Sequence, residues 1–254
     1  MANAVIDCLM NHRSIRRFKP QPLEAEALEA MLHAAIRAPT AGNLQQYSLI
    51  VVDDPQKKRA VYDSPLVDAP TMIVAVVDQY RMKRWVELNG APFYFDQAIN
   101  LFIGYWDALA ALHSLVIAAE GLGLGTVYIG MVLSANLQRA LGTPEYVFPA
   151  GMVLVGYPDE APELRPRLPL EAVVHRNGYH IPTDDELRAL YREKDAQWER
   201  LPAEVRAALE ARGIHNVAQW RTLGHYTPEF IANESAAVLE NLKRARFRLG
   251  SESS

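Results

Sequence analysis

Apolar residues return along this chain with two spacings, which predict its helices and its strands. Between residues 24 and 37 they recur every three to four positions, and this predicts an amphipathic helix that ends before Pro39. Shorter apolar runs, typical of strands, lie at 48–52, 71–77, 126–130 and 152–156. The run 71–77 is apolar on both faces, so it is expected to be a central strand of the sheet.

The stretch 96–120 is apolar or small at nearly every position and predicts the longest helix. At 1.5 Å per residue it would be ~37 Å long, and with so few polar residues it must be buried on most sides. One subunit could hardly cover it, which favours burial partly against a second copy of the chain. Its most apolar part, 108–119, is shorter than the ~20 residues of a membrane-spanning helix. His113 is expected to be a core histidine, because no second metal ligand follows at i+3 or i+4.

The chain becomes charged and helical after Thr183. Thr183 and Glu186 have the spacing of a capping box and predict a helix, and Pro228 favours the start of the last one. No internal repeat and no long linker separates the parts. We therefore expect one domain, with a core over residues 1–180 and a helical extension over residues 181–254.

Composition and charge narrow the classes of function. The chain has 254 residues, half of them apolar, and a formal net charge of -4, so it has no general attraction for nucleic acid or anionic membranes. Its single cysteine, Cys8, excludes an internal disulfide framework and suits a reducing compartment. The N-terminus shows no secretory signal, so a cytoplasmic protein is expected. We find no Ser-His-Asp, Cys-His or metal-ligand grouping, and no bound metal is expected.

Two basic clusters stand out against this acidic background. The first is His12-Arg13-Ser14-Ile15-Arg16-Arg17-Phe18, which combines guanidiniums, an imidazole and a hydroxyl suited to phosphate or carboxylate oxygens. The second is Arg165-Pro166-Arg167, in which the proline favours an extended backbone and so turns both arginines to one side. Each cluster could instead be a solvated charged surface, and for Lys57-Lys58-Arg59 that simpler interpretation is preferred.

Two loops carry further candidate chemistry. Residues 39–45, Pro-Thr-Ala-Gly-Asn-Leu-Gln, offer amides and a hydroxyl that suit the polar edge of a flat heterocycle, although ordinary turn chemistry explains them as well. The glycines of 121–125 alternate as in a dinucleotide-binding loop, but they follow a helix and lead into a strand, which is the wrong order. Gly130, at the end of that strand, would let a ligand approach the backbone closely.

Taken together, four motifs resemble the FMN-dependent nitroreductase family in their order and spacing. They are His-Arg-Ser-Ile-Arg-Arg-Phe from His12, Ala-Pro-x-x-x-Asn-x-Gln from Ala38, Gly-Leu-Gly-Thr-Val-Tyr-Ile-Gly from Gly123 and Arg-Pro-Arg-Leu-Pro from Arg165. The longer C-terminal region is similar to that of the branch of oxygen-insensitive NADPH nitroreductases and NADPH-flavin oxidoreductases.

The resemblance implies an α+β, three-layer fold, with a mixed, largely antiparallel sheet flanked by helices around a long central helix. It also implies an intertwined homodimer, with FMN sites at the interface and the extension 181–254 packed on the partner. The activity it implies is ping-pong transfer of hydride from NAD(P)H, with NADPH favoured, through tightly but non-covalently bound FMN. The acceptors would be nitroaromatics, quinones or free flavin.

The resemblance also assigns the FMN contacts residue by residue. The phosphate and ribityl oxygens would meet His12, Arg13 and Ser14, and Arg165 and Arg167 would close on the phosphate. The ring would be lined by Thr40, Asn43, Leu44 and Gln45, and N5 would face the backbone of Tyr128, Ile129 and Gly130. Arg16 would lie beside N1 and O2, where a fixed cation stabilises the negative charge of reduced flavin.

These assignments agree with the chemistry of the residues. The FMN phosphate carries close to two negative charges and needs more than one guanidinium, so the two basic clusters together suit it. No side-chain acid, base or nucleophile is required, since flavin N5 carries the reaction. The 2′-phosphate of NADPH is expected at Arg212, just before a helix stop at Gly213. Arg206 and Arg221 lie in the same segment, and any of the three could instead be a solvated helix charge.

The chain departs from that branch at a few positions. Met131 stands where a second glycine is frequent and Arg165 where a lysine is, and a ring-edge glutamine of the branch has no assigned counterpart near Asp63 or Ser64. These departures are expected to change the shape of the pocket and the redox potential of the flavin more than the identity of the cofactor.

Two other functions stay open. One is a flavin-binding sensor or storage protein on the same scaffold without efficient turnover, and the other is a non-flavin module that recognises a phosphorylated partner. The aromatic segment 80–95 could line a pocket or a subunit contact.

Overall fold

A four-stranded antiparallel sheet forms the centre of the structure, a computed structural model that describes residues 3–250. Its strands are β1 (Tyr47–Val52), β2 (Thr71–Asp78), β3 (Gly125–Ile129) and β4 (Val147–Gly156). They lie in the order β1-β2-β4-β3, and each pairing of these strands is antiparallel. This agrees with the expected, largely antiparallel sheet. The N-terminal segment does run parallel to β3, but it meets that strand only at the bridge of Ser14 with Thr126 and forms no ladder.

The described residues form ten α-helices, several of them at the predicted positions. They are α1 (Ala4–Met10), α2 (Ala25–Ile36), α3 (Pro55–Val61), α4 (Gln79–Leu88), α5 (Ala98–Gly121), α6 (Leu137–Leu141), α7 (Asp184–Asp195), α8 (Ala203–Glu210), α9 (Val217–Gln219) and α10 (Pro228–Arg244). Short 3-10 turns lie at Ala41–Asn43, Pro65–Asp68, Gly130–Ser134 and Leu170–Ala172, and a π-helical turn at Trp220–His225.

The sheet carries a hydrophobic core on each face, which gives the three layers. β2 is buried at every residue, as its doubly apolar sequence predicts. Because strand side chains alternate, Ile73 packs with Met31 of α2 and Leu112 of α5, whereas Met72 packs on the other face with Val61 and Leu137 of α3 and α6. The expected α+β, three-layer arrangement is therefore confirmed.

Helix α5 is the expected long helix, but this chain covers only one side of it. Leu112 and Leu115 are fully buried, whereas Phe102 is 63% and Trp106 74% exposed. By length and composition α5 could cross a membrane, and 44% of its most apolar window is buried inside the protein. Within one chain, the expected burial on most sides is not achieved, because no described element covers the face that carries these two aromatic rings.

Lys58 corrects the interpretation of Lys57-Lys58-Arg59 as a solvated face. The residue is 4% exposed, and its Nζ donates to the carbonyls of Ala69 at 2.5 Å and Pro70 at 3.2 Å. Burial lowers the pKa of this ammonium, while the nearby carboxylates of Asp53 and Asp68 oppose that shift. The lysine closes the turn before β2, a role that depends on the tertiary fold.

Contacts within the chain group it into two compact units. One unit runs to Glu163 and resumes at Ala236, and the other spans Leu164–Ser235. The chain's last segment belongs with the first unit, where Asn241 of α10 donates to the carbonyls of Leu133 and Ala135. The expected division at residue 180 into a core and an extension stays a prediction.

The second unit, Leu164–Ser235, is mostly helical and has a small core of its own. Trp198, Leu209, Ile214 and Val217 form that core. The predicted capping box is confirmed, because Thr183 Oγ1 accepts from Glu186 N while Glu186 Oε2 accepts from Thr183 N at 2.7 Å. Its helix ends at Asp195, a little earlier than about residue 200.

Candidate functional site

The basic segment 12–18 is fixed against the edge strand β3. Ile15 N donates to Thr126 O at 2.8 Å, and the Ile15 side chain is 6% exposed. A Cβ added at Gly125 would lie 2.8 Å from Ile15 side-chain atoms, so this glycine is what admits the segment. The docking brings His12, Ser14 and Arg16 beside the strand that carries Tyr128.

Glu160, which the sequence did not predict as a site residue, orders the backbone of that segment. Its Oε1 accepts from Arg16 N at 2.5 Å and from Arg17 N at 3.1 Å, and its Oε2 lies 3.4 Å from Arg17 Nε. These backbone hydrogen bonds, that from Arg16 first, lower the pKa of the Glu160 carboxyl below its ordinary value. The only signal in the sequence was an acidic residue just after β4, and most acidic residues simply face solvent.

The two remaining cations of the segment have different partners. Arg13 donates to the carbonyls of Asn11 and Pro162, both at 3.2 Å, and so ties the segment to the chain beyond β4. The Arg16 guanidinium is exposed, and among the described residues it donates only a long 3.4 Å bond to Ser14 O. Arg16 therefore keeps most of its donors available.

Glu120, at the end of α5, is a second carboxylate that the sequence did not predict as part of the site. Its Oε1 lies 2.6 Å from His12 Nδ1 and accepts from Thr126 Oγ1 at 2.9 Å. This pairing fixes the orientation of the imidazole and turns its Nε2 away from the carboxylate. Burial, and then the charge of Glu120, raise the pKa of the Tyr128 hydroxyl.

His113 corrects the expectation of a satisfied core histidine. It lies on the exposed side of α5, with Nδ1 3.2 Å from the Tyr128 hydroxyl, and its ring is tilted against the tyrosine ring at a centroid distance of 6.4 Å. An apolar surrounding sequence predicted burial, but the helix presents this position on its uncovered face.

The loop 40–46 is held by a buried carboxylate of α5, Asp107. Thr40 Oγ1 donates to Asp107 Oδ2 at 2.6 Å, Ala41 N donates to Oδ1 at 3.0 Å, and Gln46 N donates to Oδ2 at 3.3 Å. The structure thus brings together the predicted residues Thr40, Asn43, Leu44 and Gln45 in one ordered loop. Asp107 itself was not predicted, because it appears in the sequence as one polar residue in an apolar helix.

The end of β3 offers an open backbone. Tyr128 is 38% exposed and Ile129 8%, and Gly130 begins the 3-10 turn that follows. A Cβ at Gly130 would meet no atom within 4 Å. The packing of this chain therefore does not require a glycine at 130, and the space beside it is free.

Two of the predicted phosphate contacts, Arg165 and Arg167, belong to the second unit. Both are exposed, and Arg167 Nη1 donates to Arg165 O at 3.3 Å. The stretch that holds them contains no helix or strand, and the extended backbone expected from Pro166 stays a prediction. The contacts assigned to them stay predictions.

The three arginines weighed for NADPH, also in the second unit, differ in their surroundings. Arg206 pairs with Glu199 at 2.5 Å, and the Arg221 guanidinium lies 5.3 Å from the centre of the Trp220 ring. Arg212 is exposed and is followed by Gly213 at φ 75°, which confirms the predicted helix stop. Of the three, Arg212 is the one whose guanidinium has no partner among the described residues.

The described residues contain no group of three or more His, Cys, Asp or Glu side chains that could hold a metal ion. The polar groups described at the site are paired carboxylates and cations and backbone donors. Glu160, Glu120 and Asp107 each orient a segment in which the sequence predicted ligand contacts.

Comparisons with known proteins show which family this chain resembles in sequence and in structure. The sequence model described as Nitroreductase family matches residues 9–157. The chain is 35% identical over 192 residues to an FMN reductase (NADPH) from Bacillus subtilis, a match that covers 72% of this chain and 77% of that protein. It is 34% identical over 209 residues to a second Bacillus subtilis protein, FMN reductase (NAD(P)H), and this match covers 76% of this chain and 84% of that protein. The solved structure of the hypothetical oxidoreductase YcnD from Bacillus subtilis is similar with a TM-score of 0.83 and 29% identity, covering 98% of this chain and 100% of that one.

Proposed function

This chain belongs to the nitroreductase family, and from that membership we infer that it is an oxidoreductase that depends on FMN and uses NAD(P)H as its hydride donor. NADPH is the favoured donor in our proposal, and the acceptors are nitroaromatics, quinones or free flavin in a ping-pong reaction. The observation that carries the proposal is the family match over residues 9–157, because this range contains the docked segment 12–18 and the open end of β3.

The residues at this site fit FMN in their donor chemistry. Arg16 offers an exposed guanidinium, and His12 and Ser14 offer an imidazole and a hydroxyl on the same docked segment. Gly130 leaves its backbone accessible, with free space where a Cβ would stand. Bound FMN supplies the centre that accepts and donates hydride.

We assign the roles of the protein's own residues from this fit. His12, Arg13 and Ser14 bind the phosphate and ribityl oxygens, together with Arg165 and Arg167. Arg16 places a fixed positive charge beside N1 and O2, where it favours the reduced cofactor electrostatically. The remaining contacts to the ring come from Thr40, Asn43, Leu44, Gln45 and the backbone of Tyr128, Ile129 and Gly130.

We also propose that the working protein is a homodimer with FMN at the interface and with residues 181–254 packed on the partner. The exposed aromatic face of α5 supports this, since large apolar patches on soluble proteins mark interaction sites. Helix α1 adds Val5, Ile6, Leu9 and Met10, which are all exposed. The net charge of -4 and the single cysteine support a cytoplasmic protein with small-molecule partners, without nucleic acid or membrane.

Purified protein tests the function directly. We expect a yellow protein whose visible flavin bands bleach on anaerobic addition of NADPH and return on addition of a quinone. A colourless protein that takes up no added FMN would overturn the proposal. Bleaching without sustained NADPH consumption in the presence of quinone would instead identify the flavin-binding sensor or storage protein.

A further inference from the structure

Asp107 is a buried carboxylate that the proposed chemistry does not use. The residue is 4% exposed, and within the described part of the chain no lysine, arginine or histidine forms an ion pair with it. Burying a charge is costly unless hydrogen bonds compensate it. All three of its donors, Thr40 Oγ1, Ala41 N and Gln46 N, come from the loop 40–46.

The loop needs such a support because its backbone is strained. Gly42, Asn43 and Gln45 have φ values of 57°, 56° and 48°. Only glycine adopts this left-handed region freely, and a glutamine there needs compensation from its surroundings. The Thr40 hydroxyl supplies part of it, since it donates to Asp107 and accepts from Gln45 N at 2.8 Å.

A second side chain, Arg81, holds the C-terminal end of the same loop. Arg81 Nη2 of α4 donates to Gln45 O at 2.5 Å and to Tyr47 O at 2.9 Å. Beneath the loop, Gln79 Nε2 donates to Gln46 Oε1 at 2.6 Å, and both amides are nearly or fully buried. The loop is thus held from α5 on one side and from α4 on the other.

We propose that Asp107 and Arg81 are positioning residues that hold the loop 40–46 in its strained shape so that Thr40, Asn43 and Gln45 meet the FMN ring. The inference rests on the proposed function, because it requires this loop to line the ring. Neither residue contacts the cofactor in this proposal. Both act by removing the freedom of the loop before the cofactor binds, which lowers the entropic cost of binding.

The test compares three variants that differ in their contact with the loop. Asp107→Asn keeps the shape of the side chain but replaces one accepting oxygen by an amide that faces N–H donors. Arg81→Gln removes the outer tie at a side chain that is half exposed, so the variant is expected to fold. Arg84→Gln is the matched control, because Arg84 lies on the same helix with similar exposure and, among the described residues, pairs with Glu87 alone.

We expect Asp107→Asn and Arg81→Gln to weaken FMN binding by roughly tenfold or more, measured by the quenching of FMN fluorescence. We also expect both to shift the visible absorption maxima of the bound flavin, which a change of global stability alone does not move. Arg84→Gln should leave both readouts at the parent values.

Several outcomes overturn the inference while leaving the proposed function intact. A parent that binds FMN, with variants that keep its affinity and its spectrum, shows that the loop does not need these ties. A lower melting temperature for Asp107→Asn with an unaltered spectrum shows a purely structural role. A parent that binds no FMN is a failure of the proposed function instead.

Discussion

At the residue scale, the basic segment 12–18 is ordered by carboxylates from distant parts of the chain. Glu120 pairs with His12, and Glu160 accepts from the backbone of Arg16 and Arg17. Neither carboxylate faces the Arg16 guanidinium. The acids therefore fix the shape of the segment and leave Arg16 with the free charge that an anionic cofactor requires.

Glu160 should make the ordering of this segment depend on pH. Its pKa is lowered by the backbone hydrogen bond from Arg16, so its stabilisation is present above the ordinary glutamate pKa of 4.5 and is lost as pH falls through the lowered value. We expect Glu160→Gln to lower the melting temperature at pH 7, and the difference from the parent to shrink below pH 4.5 and to disappear once the pH is below the lowered pKa. Glu163→Gln is the exposed control. A difference from the parent that persists unchanged in acid would contradict this role.

Arg167 should contribute to the retention of FMN. Loss of one charge-assisted hydrogen bond to a phosphate is expected to weaken binding roughly ten- to a hundredfold in Arg167→Ala. The measurement is FMN affinity by fluorescence quenching, with Arg176→Ala as a control because Arg176 is an exposed arginine of the same unit. Unchanged affinity in Arg167→Ala would remove this residue from the phosphate site.

Arg212 should determine the choice of nicotinamide donor. Arg206 already pairs with Glu199, so it is less available to a 2′-phosphate. We expect Arg212→Ala to reduce the ratio of kcat/KM for NADPH over NADH by about tenfold, and Arg206→Ala to change it little. Equal efficiency with both donors in the parent would refute the preference itself, and an unchanged ratio in the variant would refute the choice of residue.

At the scale of elements, the site depends on how the segment 12–18 docks on β3. Ile15 occupies the space that a side chain at 125 would need, and Ile15 N pairs with Thr126 O. Gly125 and Gly130, two glycines of the motif that begins at Gly123, therefore have different roles. Gly125 serves packing, whereas Gly130 has free space beside it.

Gly125→Ala should displace the segment. The new methyl would lie 2.8 Å from Ile15, and overpacking of this kind costs about 1–3 kcal/mol. We expect a lower free energy of unfolding together with weaker FMN binding, measured by denaturant titration and fluorescence. Gly121→Ala, where a Cβ meets no atom within 4 Å, is the control and should be neutral or slightly stabilising. A fully stable Gly125→Ala that retains FMN would show that Ile15 can move at no cost.

At the scale of the whole molecule, the uncovered face of α5 is the main feature that one chain leaves unexplained. Phe102 and Trp106 lie on it and are more than half exposed. His113, on the same helix, lies near Tyr128 of β3. A helix of this apolar character is expected to be covered in solution. A second copy of the chain is the partner that we propose.

Trp106→Glu should therefore dissociate the protein. A charge in the centre of an apolar interface is not compensated, and we expect a monomer at micromolar concentration that has lost FMN, measured by sedimentation and by the visible spectrum. Leu88→Glu changes an equally exposed apolar residue on α4 and serves as the control. A parent that is itself monomeric and retains FMN would contradict the proposed dimer.

The sequence by itself determined most of the elements and the order of the candidate motifs. Helix α2, the doubly buried strand β2, the length of α5 and the capping box at Thr183 all follow from spacings within one element. A local pattern is sufficient there, because helix and strand periodicity decide which side chains share a face.

Only the tertiary structure decided which partners orient the site. Asp107 reaches Thr40 across 67 residues and Glu160 reaches Arg16 across 144, so no local period encodes either contact. The same reason explains two of the corrected expectations, the buried Lys58 and the exposed His113. Burial depends on which element packs against a side chain, and neighbouring residues in the sequence do not specify that element.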